Sequence, residues 1–383
     1  MKIAWLILFI TTFSLNICLG QDTIPQRKIK SLNDIPHETL RQKWLWPHRS
    51  AAFLITREKK IHFDTTYIRS YPKRFIVTIP LSTRLLQFDL IDWKTENRLQ
   101  FSPNFRYDVG IGISSRWATF IAHTGISFFN QQNRERGVTK FSDYQLNLYG
   151  KKFVSDIVLQ SYKGFYIANS GDYNYVGDGP FEKRPDVRAN LFSLSTQYVF
   201  NHKRFSYRSS FAFTETQLKS AGSFLVGAYY TLFGVQSDSG LISTPLLSYF
   251  DSLSNVREGS AQNFGISAGY IYTRVKKKFY GTLSFVPGIG LNQTTYDRYD
   301  STSYRSPFNG AVKMNVRLGF GYDNGKIYSG TLGIYDYFLS FSEKNATFNH
   351  NSGKFMLFIG YRFNFIKTER KILRKLNLID YRD

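Results

Sequence analysis

The chain has 383 residues, 50 Lys and Arg against 28 Asp and Glu, and a formal net charge of +22, yet 42% of it is hydrophobic and 17% aromatic. A single cysteine, Cys18, excludes a disulfide framework and a thiolate metal site. Abundant Phe, Tyr and Gly are unusual for a soluble α/β enzyme and suit a membrane barrel, where apolar residues occupy every second position.

Residues 1–20 read as a secretory signal peptide. Lys2 precedes an apolar stretch, Ile3 to Leu19, and Gly20 provides the small residue before a cut. The run is too short, and too weakly apolar in its second half, for a membrane anchor. Lipidation at Cys18 is disfavoured, because Ile17 stands where that processing wants a small residue. Cleavage after Gly20 leaves a mature chain without cysteine. Loss of Lys2 with the signal takes the net charge from +22 to +21. Secretion argues against nucleic acid as the partner of this charge. Outer-membrane lipid, lipopolysaccharide phosphates and small anionic solutes are the expected partners.

Residues 21–70 form a short periplasmic N-terminal segment. Asp34 suits the cap of a short helix with Pro36 in its first turn, and Trp44 and Trp46 suit the inner membrane interface.

Residues 71–365 alternate with period two. Val312, Met314, Val316, Leu318 and Phe320 oppose Ala311, Lys313, Asn315, Arg317 and Gly319. Phe105, Tyr107, Val109, Ile111 and Ile113 oppose Asn104, Arg106, Asp108, Gly110 and Gly112. Phe355, Leu357, Ile359, Tyr361 and Phe363 share a face, with Lys354, Gly360 and Arg362 on the other. The segments are long enough for the roughly 9–11 residues of a tilted membrane-crossing strand. Short connections (114–116, 150–152, 201–203, 275–278, 323–325) alternate with long ones (129–139, 166–188, 251–261, 291–309, 340–353), the pattern of periplasmic turns and outside loops. Aromatic pairs flank the short turns: Tyr149 and Phe153, Phe200 and Phe205, Tyr272 and Phe279, Tyr322 and Tyr328.

Strands are predicted near 75–87, 104–113, 117–128, 140–150, 153–165, 189–200, 204–217, 222–234, 262–274, 278–290, 310–321, 326–339 and 354–365. With both termini periplasmic, one more ascending strand is needed. Leu241 to Phe250 is the candidate, weakened by Pro245. That gives fourteen strands, with twelve the alternative. The expected fold is all-β: a transmembrane antiparallel up-and-down β-barrel of about 12–14 strands in an outer membrane. Residues 366–383 read as a basic amphipathic periplasmic helix, with Ile372, Leu373, Leu376 and Ile379 at helical spacing.

Charges cannot face lipid cheaply, so the register turns Arg84, Arg106, Arg208, Lys313, Arg317 and Arg362 inward, with Asp108, Asp143 and His123. Six cations against two carboxylates predict either a plugged lumen of Arg–Asp pairs or a basic pore that favours anions. The six His (His37, His48, His62, His123, His202, His350) show no metal-ligand spacing, and no phosphate loop or nucleophile elbow occurs. His350 to Gly353 is expected at an outer loop edge. No cofactor, metal or catalytic residue is expected.

The run His62-Phe63-Asp64-Thr65-Thr66-Tyr67-Ile68 with Pro72-Lys73-Arg74-Phe75 resembles the opening of the domain-of-unknown-function family 4421 of Bacteroidota. Phe101 to Asn104 with Tyr107 to Gly110, Gly164-Phe165-Tyr166 and Gln217 to Ser223 extend the resemblance over roughly residues 60–365. It implies a secreted outer-membrane barrel and supplies no activity and no catalytic residues. The expected role is passage of small solutes or a structural or surface function, without enzymatic activity. The alternative is a lipid-acting barrel enzyme of the phospholipase or lipid A deacylase type.

Overall fold

The computed structural model describes residues 62–364, apart from 72–73, 105–106, 116–117, 126–132, 251–254, 301 and 342–345. The signal peptide, Trp44, Trp46 and the helical tail expected over 366–383 lie outside the described residues.

Twelve antiparallel strands form one closed ring: β1 (Arg74–Asp92), β2 (Tyr107–Ser115), β3 (Ala118–Gly125), β4 (Lys140–Tyr149), β5 (Phe153–Ile167), β6 (Glu182–Val199), β7 (Ala221–Gln236), β8 (Val256–Lys276), β9 (Phe279–Arg298), β10 (Asn309–Asp323), β11 (Ile327–Ser340) and β12 (Ala346–Asn364). Each strand pairs with the next in sequence. β12 closes on β1 from Arg74↔Asn364 to Asp92↔Ala346. Closure gives every strand of the ring a partner on both sides, as hydrocarbon requires.

Alternation dictates the two faces. Phe224, Ile266, Phe279, Ile289 and Phe320 point outward and are 60–67% exposed, a wall that only an apolar phase accommodates. On the inward face of the same strands Ser223, Ser267, Thr282 and Arg317 are buried. At the end bearing the short turns and the described chain ends, outward aromatic rings pair up: Phe153–Tyr198 at 5.2 Å, Phe224–Tyr270 at 5.0 Å and Phe279–Tyr322 at 5.3 Å. Tyr149, Phe205 and Tyr328, expected in that girdle, face inward instead, each no more than 2% exposed.

Two predicted strands are not in the wall. Residues 205–214 are buried without interruption, whereas a wall strand would bury alternate residues. They form a short helix, α1 (Tyr207–Phe211), inside the ring. Ser206 caps it, its hydroxyl accepting from the Ser209 N–H. Glu215–Gln217 then pairs with Ile68–Ser70, tying the insert to the segment before β1. The spacing of Phe205, Tyr207, Phe211 and Phe213 imitates strand alternation, which explains the sequence reading. Residues 241–250 are likewise no strand. Pro245 starts a 3-10 turn, Thr244–Tyr249, and Leu241, Leu246 and Phe250 fold into the loop-end mouth. Removing both segments takes fourteen strands to twelve. His350 to Gly353 lies within β12, not at a loop edge.

Candidate functional site

The interior of the ring is filled in three layers. At the turn end, α1 and its flanks pack Phe205, Tyr207, Phe211 and Phe213 against wall residues Ile76, Leu225, Ile271 and Tyr328. Arg362 locks this layer. Its guanidinium forks onto the Asp323 carboxylate with two bonds of 2.7 Å, and its Nε donates to the Phe213 carbonyl at 2.8 Å. Tyr71 and Tyr328 sandwich it, each ring centre 4.7 Å away. The same carboxylate accepts the Thr216 hydroxyl at 2.7 Å, so one ion pair joins wall, insert and N-terminal segment.

The middle layer is a belt of charges. Arg84 Nε lies 3.0 Å from Asp108, and Arg84 also pairs with Asp143, which accepts from Gln160 at 2.7 Å. Arg317 reaches Asp156 at 2.6 Å and stacks over Tyr207 and Phe211 of α1. Lys313 lies 3.3 Å from Asp336, and the Lys354 amine donates to Gln145 at 2.7 Å. Between them is a cavity of about 70 Å³, lined by Asp156, Lys313, Arg317, Asp336 and Lys354. That volume has room for water molecules among the charges.

The loop-end layer is apolar. Phe88, Phe101, Phe165, Phe233 and Phe348 pack with Leu241, Leu246 and Phe250. His350 stacks between Phe233 at 5.0 Å and Phe338 at 4.5 Å, fully buried inside the ring. Arg184 pins the loop above, donating to the Leu241 carbonyl at 2.7 Å. Tyr173, on the loop Ser170–Tyr173, donates its hydroxyl to the Arg98 carbonyl at 2.7 Å, and burial raises its phenol above the ordinary range.

The residues projected inward from the sequence are placed as follows. Arg84, Asp108, Asp143, Lys313, Arg317 and Arg362 are buried on wall strands. Arg208 is buried too, but on α1 rather than the wall, paired with Glu215 at 3.5 Å. Arg106 lies outside the described residues. Of His123 only the backbone is described, opposite Gly110. The predicted excess of positive charge is not found among the described residues. Arg84, Arg208, Lys313, Arg317, Lys354 and Arg362 face Asp108, Asp143, Asp156, Glu215, Asp323 and Asp336. Asp156 and Asp336 sit at inward positions of their strands, so alternation could have found them. Asp323 falls in a predicted short connection, and Glu215 belongs to the insert. Among the described residues no group of metal-ligating side chains occurs.

No functionally curated protein matches the sequence. The fold is similar to solved outer-membrane barrels at low identity. The outer membrane protease OmpT from Escherichia coli aligns at 8% identity and a TM-score of 0.36, over 78% of this chain and 98% of that one. The β domain of the Bordetella autotransporter BrkA aligns at 12% and 0.31, over 76% and 100%. The Pseudomonas putida toluene transporter TodX aligns at 8% and 0.27, over 77% and 90%. Likenesses this distant carry no argument about activity, and the barrel stands on its own strand pairing. In sequence, residues 62–363 match the family described as Domain of unknown function (DUF4421), and the chain belongs to that family.

Proposed function

We propose that the protein is an outer-membrane β-barrel with a closed lumen, its turn end and both termini in the periplasm, acting as a structural or surface membrane protein without enzymatic chemistry. The observation that carries this reading is the filled interior: α1 lies wholly inside the ring, an apolar layer fills the other mouth, and the belt between them is charge-paired. Among the described residues these three layers leave no open channel for a solute. The lipid-acting alternative would need a nucleophile and base facing lipid at the outer wall; its histidine candidate, His123, has its side chain outside the described residues, and His350 faces the interior between two Phe rings.

The test is conductance across a planar bilayer. The native protein should give no steady current. Replacing residues 206–216 with a Gly-Ser linker should leave the loop-end layer closed, and only the linker combined with Phe88→Ala, Phe233→Ala, Leu246→Ala and Phe250→Ala should open a pore, which, because the belt is balanced, should discriminate little between anions and cations. A steady ohmic current through the native protein would overturn the closed-lumen reading.

A further inference from the structure

The outer wall carries a row of cations that none of the ion pairs among the described residues neutralises. Lys140 on β4 is directly opposite Lys163 on β5, and Lys163 is directly opposite Arg188 on β6. All three are exposed and outward-facing. Directly opposed residues on a sheet face lie about 5 Å apart, where like charges repel. Among the described residues none of the three has an ion-pair partner. The ladder continues through Gln236 on β7, and the first carboxylate along it is Glu258 on β8.

The backbone holds this row in place. The register shifts between Lys163 and Phe165, a bulge built on Gly164 at φ +91°. A Cβ on Gly164 would collide with the Val138 carbonyl, so only glycine lets β5 approach the chain entering β4 this closely. The Thr139 hydroxyl fastens the approach by donating to the Gly164 carbonyl at 2.7 Å.

Below the cations, toward the turn end, the wall changes character in two steps. The next outward row is small: Ser142, Ser161, Asn190 and Gly234, each opposite the next. The row after it is apolar: Tyr144, Leu159, Phe192 and Leu232. Together they line a trough of about 540 Å³ on the wall. Lys163 is ten residues along β5 from Phe153 of the turn-end aromatic girdle. At about 3.3 Å per residue and a tilt of about 40°, that is about 25 Å of height, the thickness of a barrel's apolar band. The cations therefore stand at headgroup level, and the trough lies in the acyl region beneath them.

We infer that this face of β4–β7 is a binding site for a phosphorylated lipid of the lipid A class, its phosphate on Lys140, Lys163 and Arg188 and an acyl chain in the trough. The inference rests on the outer-membrane reading above and adds the lipid and its place on the wall. Arg and Lys donors suit phosphate oxygens, and a site at the membrane surface screens them less than bulk water does.

Native mass spectrometry of the full-length protein in detergent, titrated with diphosphoryl lipid A, tests it. Lipid A should remain bound. The double variant Lys163→Gln/Arg188→Gln should weaken retention at least tenfold, whereas Lys163→Arg should bind as the native protein does. Lys277→Gln/Lys278→Gln, at the other end, should change nothing. Each variant is first checked for the heat-dependent gel mobility of a folded barrel. Equal retention by native protein and double variant would overturn the site, as would equal retention of phosphatidylcholine. Inorganic phosphate displacing lipid A at equal concentration would refute the role of the trough. All of these outcomes leave the conductance result untouched, so the lipid site and the closed lumen fail separately.

Discussion

The two mouths of the barrel are closed by opposite means. At the turn end an inserted helix is held by directed bonds, centred on Arg362, Asp323 and the Phe213 carbonyl. At the loop end, aromatic and aliphatic side chains fill the opening, and most of the contact is non-directional. Directed closure concentrates stability in a few atoms. Apolar closure spreads it over many, each dispensable in part.

Substitution should expose this difference, and the largest effect belongs to the turn end. Arg362→Ala leaves Asp323 buried without its cation and should cost about 3–5 kcal/mol in denaturant unfolding from detergent. It should also unfasten the insert, so backbone hydrogen exchange over residues 205–217 should rise. Replacing the pair together, Arg362→Met with Asp323→Leu, should recover most of that stability. If the double variant is no better than the single one, directed closure is the wrong description.

At the other mouth, Leu90 on β1 is fully buried in the apolar layer, and Leu90→Ala should cost about 3 kcal/mol through the cavity it leaves. No local opening should accompany it, because neighbouring rings still fill the mouth. A rise in hydrogen exchange over the loop-end segment 241–250 comparable to that over 205–217 in Arg362→Ala would erase the distinction between the mouths. The smallest effect is expected at Ser206. Ser206→Ala removes the cap of α1 and should cost about 1 kcal/mol in the same unfolding measurement.

The wall was legible in the sequence because a strand facing lipid on one side and a packed interior on the other must alternate. Val316 and Arg317 illustrate it: Val316 turns outward while Arg317 is buried against Asp156. The insert was not legible for the same reason. Inside the ring both faces of a segment are buried, and Phe205, Tyr207, Phe211 and Phe213 then alternate by accident, without a lipid-facing side to enforce it. The charge balance was half legible. Asp156 and Asp336 follow from the register, but Glu215 could pair with Arg208 only once the insert was known to fold inward. The cation row on the outer wall needs the pairing of three strands, which spacing along one strand cannot supply.

The seam between β1 and β12 runs from Arg74↔Asn364 to Asp92↔Ala346 and joins the two ends of the barrel sequence. Until that seam forms, both strands present open edges, and closing it spans almost the whole chain. Arg362 belongs to the C-terminal strand of that seam. One strand therefore supplies both the closing edge of the ring and the side chain that locks the insert between β6 and β7. Circularity and corking share a single element, and a chain truncated before β12 would lose both together.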